Sequence, residues 1–413
     1  MSQPLLTPFR TLLAALLAAV LLAGLTACSG DEDSATPSEA ATPSEAASDQ
    51  DTADDTTSST APPSTAPPTA GWESVAPADA GFDPAALDAI TATAQEAGSN
   101  CFLVARDGRI VTESYWNGTS PETTQEVFSA SKSVTSTLVG IAQLDGDLSV
   151  SDLASTYIPE WQGTPSESVT IENLLSNDSG RHYDGRTDYV EMAGRSTDKT
   201  TFSIALLQDA PPGTVWAYNN SAIQTLEAVL STATGTDVAD YARDRLFEPI
   251  GMTGSSIRRD GMGNPLTFMG VQSSCRDMAR FGELMLRDGE WDGEVIVDPE
   301  WVEAATGRSS QELNAAYGWL WWLNRPGTVL GAGQATGQAD PAGGTDQAPE
   351  LQLAPGAPKD MFWALGFGNQ VVMVDPGSHT VAVRLGPVNT PEGSPKFNAP
   401  ASARVVTEAL VAP

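Results

Sequence analysis

Strand-forming sequence lies at both ends of the foldable part of this 413-residue chain, with helix-forming sequence between them. Near the start, CFLVARDGRIVTESYW (101–116) holds two β-rich runs around Asp107-Gly108, a strong tight-hairpin dipeptide. Near the end, MFWALGFGNQVVMVDPGSHTVAVRLG (361–386) reads as three strands, connected near 366–369 and at the DPGS turn, 375–378. A two-stranded ribbon buries too little surface to stand alone, so the two ends are expected to join. The fold class that follows is α/β of the α+β type: one antiparallel sheet built from the N- and C-terminal segments and flanked by helices. FDPAALDAITATAQEAG supplies one helix, with Asp83 as cap and Pro84 in its first turn, and ASARVVTEALV supplies a terminal one. The sheet lobe is expected to draw on about 72–128 and 361–413 and a mostly helical lobe on 140–320, with a cleft between them. Residues 324–360, rich in Gly, Pro, Ala and Gln, read as a mobile loop whose use as a lid stays open.

Everything before Trp72 reads differently. Residues 1–27 fit a signal peptide: Arg10 precedes LLAALLAAVLLAGL, an apolar run too short and wrongly flanked for a good membrane span. LTAC (25–28) resembles the bacterial lipobox, in which the cysteine is lipidated and begins the mature chain; that makes Cys28 a membrane anchor. A plain secretory signal is the alternative. Residues 28–71 are Ser, Thr, Ala, Pro, Asp and Glu with almost no apolar bulk, and ATPSEA occurs twice in tandem. Such a segment cannot bury enough surface to offset chain entropy, so it reads as a disordered acidic tether before a domain spanning 72–413. The expected location is the extracellular face of a bacterial membrane. The net charge of −32 argues against a nucleic-acid partner. Of the remaining cysteines, Cys101 and Cys275 either form a disulfide, which an oxidising compartment favours, or stay as buried thiols.

The chemistry concentrates in FSASKSVTSTLVG (128–140). Val134, Leu138, Ile141 and Leu144 recur at helical spacing, with Val139 and Ala142 on another face, so the helix reads as central and buried. Ser129 and Lys132 stand three residues apart at its N-terminal end, hence on one face. Lysine is scarce here, the others being Lys199, Lys359 and Lys396. Placing one at a buried, already positive helix start is unfavourable unless the amine is wanted neutral. Burial lowers a lysine by up to about 3–5 units, and an amine near 7 can take a proton from a serine hydroxyl. Taken alone, the pair fits a helix cap with a snorkelling lysine better, and the rest of the chain is what turns the balance. PPGTVWAYNNSAIQTLEAVL adds Tyr218 and Asn220, a Tyr-x-Asn before another apolar helix.

With these segments in view, residues 72–410 resemble the serine β-lactamase and penicillin-binding-protein superfamily, on the class C β-lactamase-like branch that includes serine esterases and 6-aminohexanoate-dimer hydrolases. VFSASKSVTS looks like the nucleophile motif, and WAYNNSA like the second motif. The resemblance implies that Ser129 is acylated, Lys132 is its partner, Tyr218 moves the proton and Asn220 contacts substrate. LDGDLSVSDLASTYIPEW, VTIENLLSNDSG, LFEPIGMTGSSI and SSCRDMARFGELMLRDGEWDG follow the family's order and spacing. The third motif departs: where the family carries Lys-Thr-Gly or His-x-Gly, ALGFGNQVVMVDP offers Phe367, Gly368 and Asn369, with the N–H of Gln370 as second oxyanion donor by analogy. Without a Lys or His there, an esterase or amidase is favoured over a β-lactamase.

Other chemistries lack their parts. There are two histidines; His379 looks exposed, and His182 is expected as a polar contact near the cleft. No Gly-x-Ser-x-Gly elbow, Cys/His zinc cluster or phosphate loop occurs, so no metal or cofactor is expected. The aromatic run YGWLWWLN (317–324) could line a pocket or the core. The expected partner is a small ester or amide substrate. A β-lactam or peptidoglycan-stem sensor on the same fold is the alternative.

Overall fold

The computed structural model describes residues 72–307, 312–336, 351–390 and 393–411. The expected signal peptide (1–27), the tether (28–71) with Cys28, and part of the loop expected at 324–360 lie outside the described residues.

Helix α1 (Pro84–Glu96) begins where Asp83 accepts the N–H groups of Ala85 and Ala86, at 2.9 and 3.4 Å. Strands β1 (Cys101–Arg106) and β2 (Arg109–Tyr115) follow as a hairpin. Asp107 and Gly108 take φ of 50° and 71°, the left-handed pair that matches the twist of a tight hairpin. Helix α2 (Ser131–Asp145) is buried from Ser131 through Ala142 and runs through the core. Among the helices of the middle region are α3 (Asn220–Gln224) and α4 (Cys275–Leu286), and the remaining strands of the main sheet are β3 (Trp322–Leu323), β4 (Phe362–Gly366), β5 (Gln370–Asp375) and β6 (Thr380–Leu385). Helix α5 (Ala399–Arg404) follows, continued by a π-type segment at Val405–Ala409.

The sheet order is β2-β1-β6-β5-β4-β3, antiparallel throughout. The N-terminal hairpin docks on the last strand, with Cys101 opposite Leu385, so both ends of the domain make one sheet. Strands β5 and β6 are buried at every position because helices cover both faces. On one face Gly282 of α4 lies so close that a Cβ there would come within 2.7 Å of Val381 Cγ1. On the other, Trp363, one residue out of phase with the α4-facing set, donates its indole N–H to Ser402 of α5 at 3.0 Å. A disulfide joins Cys101, the first residue of β1, to Cys275, the first of α4, across 174 residues of chain.

Candidate active site

Ser129 lies in a single 3-10 turn, Phe128–Ala130, that leads into α2. Phe128 takes φ of 50°, a left-handed conformation that costs a non-glycine residue about 1–3 kcal/mol and persists only where surrounding structure enforces it. That enforcement comes from β4. Its first residues pair with β3, but β3 stops after two residues. The far end of β4 instead lies on the serine's turn, where a Cβ on Gly366 would come within 2.1 Å of the Val127 carbonyl oxygen. The next residue, Phe367, meets Phe128 edge-on at 6.0 Å.

Lys132 is 1% exposed. Its Nζ lies 3.0 Å from Ser129 Oγ, 2.7 Å from Asn220 Oδ1 and 2.7 Å from the Phe268 carbonyl oxygen. The last two can only accept. A neutral amine therefore spends its two hydrogens on them and turns its lone pair toward the serine hydroxyl. Burial, opposed by the charge of Asp188, lowers the amine to about 7. Near neutral pH both forms are then populated.

The Tyr218 phenol neighbours Ser129 and interacts with its hydroxyl, and Lys132 Nζ sits 4.8 Å from the phenol's ring centroid. Burial raises the phenol above its usual value, although the interaction with Ser129 opposes this, so it stays protonated at neutral pH. The ring stacks on Trp322 at 5.7 Å and meets Tyr317 edge-on at 5.9 Å. The aromatic run 317–324 thus divides: Tyr317 and Trp322 cage Tyr218, while Trp321 stacks on Phe281 and Trp319 packs on Trp301 in the core. From the expected loop, Ala335 pairs with Ala217 and the Thr336 N–H donates to the Trp216 carbonyl at 2.8 Å, so this part is pinned beside Tyr218.

Four expected residues have other surroundings. Gly368 and Asn369 turn their carbonyls to the buried Arg384, at 2.7 and 2.9 Å from Nη1. The Gln370 side chain donates to Phe367 O at 3.0 Å and Gly386 O at 2.7 Å. Gly368 has φ of 77°, and a Cβ there would meet Val388, so its glycine serves the hairpin. The glycine pressed on the serine's turn is Gly366. Asn220, expected to contact substrate, is 3% exposed and bonded inward to Lys132 and Asp188. His182 is clamped between Asp209 at 2.7 Å and Asp184 at 2.9 Å. Burial disfavours its charge, but those bonds outweigh it and raise the imidazole's pKa. Sequence reasoning missed Asp188, whose stretch SNDSGRHYDGRTDY has three aspartates, two of them buried, and no mark of which one meets Asn220.

A partly exposed serine flanked by a buried amine and a phenol, at the open edge of an antiparallel sheet, defines a class: the β-lactamase-like serine hydrolases. The Beta-lactamase family model matches residues 87–407, and the chain belongs to that family. It is 25% identical over 270 residues to the 6-aminohexanoate-dimer hydrolase of Paenarthrobacter ureafaciens, covering 58% of this chain and 68% of that one. It is 26% identical over 228 residues to a Beta-lactamase of Lysobacter lactamgenus, covering 47% and 56%. A Bacillus anthracis structure described as a candidate 6-aminohexanoate-dimer hydrolase shares the fold at a TM-score of 0.62 and 21% identity, over 80% of this chain and 86% of that chain.

Proposed function

We propose that the protein is a lipid-anchored, extracytoplasmic hydrolase that cleaves a small ester or amide through an acyl-enzyme on Ser129. One observation carries the reading: a fully buried amine, lowered to about 7, lies 3.0 Å from a serine hydroxyl that substrate can reach. Ser129 Oγ attacks the carbonyl carbon and its proton passes to Lys132. The N–H groups of Ser129 and Phe367 hold the oxyanion, Phe367 replacing the donor expected at Gln370 because Gly366 is the residue that touches the serine's turn. The C–O or C–N bond then breaks, and the leaving group takes the proton from Lys132 through the Tyr218 phenol. Water attacks the acylated serine, gives its proton to the same relay, and releases the acid and free Ser129.

Strand β4 offers the partly exposed Leu365 and Gly366 at the end that lies on the serine's turn, and Phe367 is 44% exposed. These apolar residues support an uncharged acyl group rather than a penicillin-type carboxylate. The lipobox-like LTAC and the disulfide support export and anchoring.

A fluorophosphonate probe and a panel of esters, amides and a chromogenic cephalosporin test the proposal. Wild type should label and turn over a short-chain aryl ester, and Ser129→Ala should do neither. Labelling without release would instead support a β-lactam or peptidoglycan-stem sensor. No labelling would remove the acyl-enzyme reading altogether. Cys28→Ser should move the protein from the membrane to the soluble fraction.

A further inference from the structure

Asp188 is a buried charge that the reaction above leaves unused. It belongs to a helical segment of π type, Arg186–Arg195, and is 1% exposed. Its Oδ1 accepts the Ser221 N–H at 2.7 Å and the Ser221 hydroxyl at 2.8 Å. Its Oδ2 accepts Asn220 Nδ2 at 2.7 Å and the Asn220 N–H at 3.3 Å. Burial raises this carboxyl above its usual value, opposed by the donors of Ser221 and Asn220; both oxygens only accept, which is the pattern of an ionised carboxylate. The phenols of Tyr183, Tyr189 and Tyr218 also face it, all held protonated by burial.

The Asn220 carboxamide is consumed by these contacts. Its oxygen takes the Lys132 hydrogen, and its nitrogen serves Asp188 and the phenol of Tyr189. An amide can turn over by 180°, but a carboxylate accepts only from the nitrogen end, so Asp188 fixes the oxygen toward Lys132. Resting on the hydrolase reading above, we propose that Asp188 is a positioning residue that reserves Asn220 for Lys132. Asn220 then recognises no part of the substrate, and the site takes acyl groups that carry no amide handle.

Two measurements test this. The chain has four lysines, so a protein labelled with carbon-13 at the lysine side chains reports Lys132 directly by NMR. Asp188 is the charged group that acts on Lys132. In Asp188→Asn the Lys132 midpoint should fall by about one pH unit relative to wild type, because an attractive anion is gone. A midpoint within ~0.2 unit of wild type in the folded variant would overturn the proposal, and this readout does not depend on turnover. The second measurement compares an aryl ester of an N-acylglycine with an aryl ester of a plain acyl chain of equal length. Asn220→Ala should lower kcat on both by the same factor, within about twofold, with KM little changed. A loss on the N-acylglycyl ester more than about tenfold larger would mean that Asn220 binds the substrate amide, and the proposal fails. Wild type inert toward both esters would instead sink the hydrolase reading, while the lysine titration would still decide the role of Asp188.

Discussion

An amine with an ordinary pKa near 10.4 is a poor base at neutral pH because it is already protonated. Lys132 escapes this through burial, which lowers it to about 7. Two predictions follow at this scale. Aryl-ester turnover should rise with pH through about 7 as the neutral amine forms. Lys132→Arg, which stays charged, should lower kcat by roughly 10²–10⁴-fold, the usual contribution of a positioned base; activity within tenfold of wild type would end the assignment. Stability carries the same signature. The folded value of about 7 lies below the ordinary 10.5, so between them the unfolded chain binds the extra proton. The contribution of Lys132 is therefore least favourable below pH 7 and improves by about 1.4 kcal/mol per pH unit toward 10.5. Denaturant titrations of wild type against Lys132→Met at pH 5, 7 and 9 read this difference; a slope of opposite sign refutes a buried, depressed amine. Lys132 was legible because an isolated lysine at the head of an apolar helix conflicts with ordinary burial. Asp188 was not, because its partners Asn220 and Ser221 lie more than thirty residues away in sequence.

At the scale of elements, the site is where one strand end meets one turn. Gly366→Ala would drive a Cβ into the Val127 carbonyl, and the neighbour is backbone, so the serine's turn must shift. A displacement near 1 Å of a reacting group costs about 10² in rate. We expect kcat/KM on an aryl ester to fall by about that factor, and retention of full activity would mean that β4 does not set the serine's position. The sequence places glycines at both 366 and 368, one serving the turn and the other the hairpin. Only the register of β4 against β5, with Gly366 opposite Gln370, separates the two roles, and register depends on pairings made elsewhere in the sheet. That is why composition alone does not tell the two glycines apart.

For the whole molecule, the joining of both ends into one sheet was readable because each hairpin alone leaves an apolar face uncovered. The 335–336 segment's attachment beside Tyr218 was not, since main-chain pairing leaves no trace in a Gly- and Ala-rich composition. The disulfide is the largest single tie, closing 174 residues. Chain entropy assigns such a loop on the order of 5 kcal/mol, and removed native bridges commonly cost about 2–5. The Cys101→Ser, Cys275→Ser double variant should lose stability in that range in urea; a loss below about 0.5 kcal/mol would mean that the fold does not lean on the bridge.

The covalent ring closed by that bridge, residues 101–275, includes Ser129, Lys132, Asp188, Tyr218 and Asn220, while α1 before it and the chain from α4 through β3–β6 to α5 after it lie outside. Every proton-handling group is thus threaded on one loop whose clasp fastens only under oxidising conditions. Among reducing thiols the same side chains would sit on a frame that lacks this covalent closure, held by packing and hydrogen bonds alone.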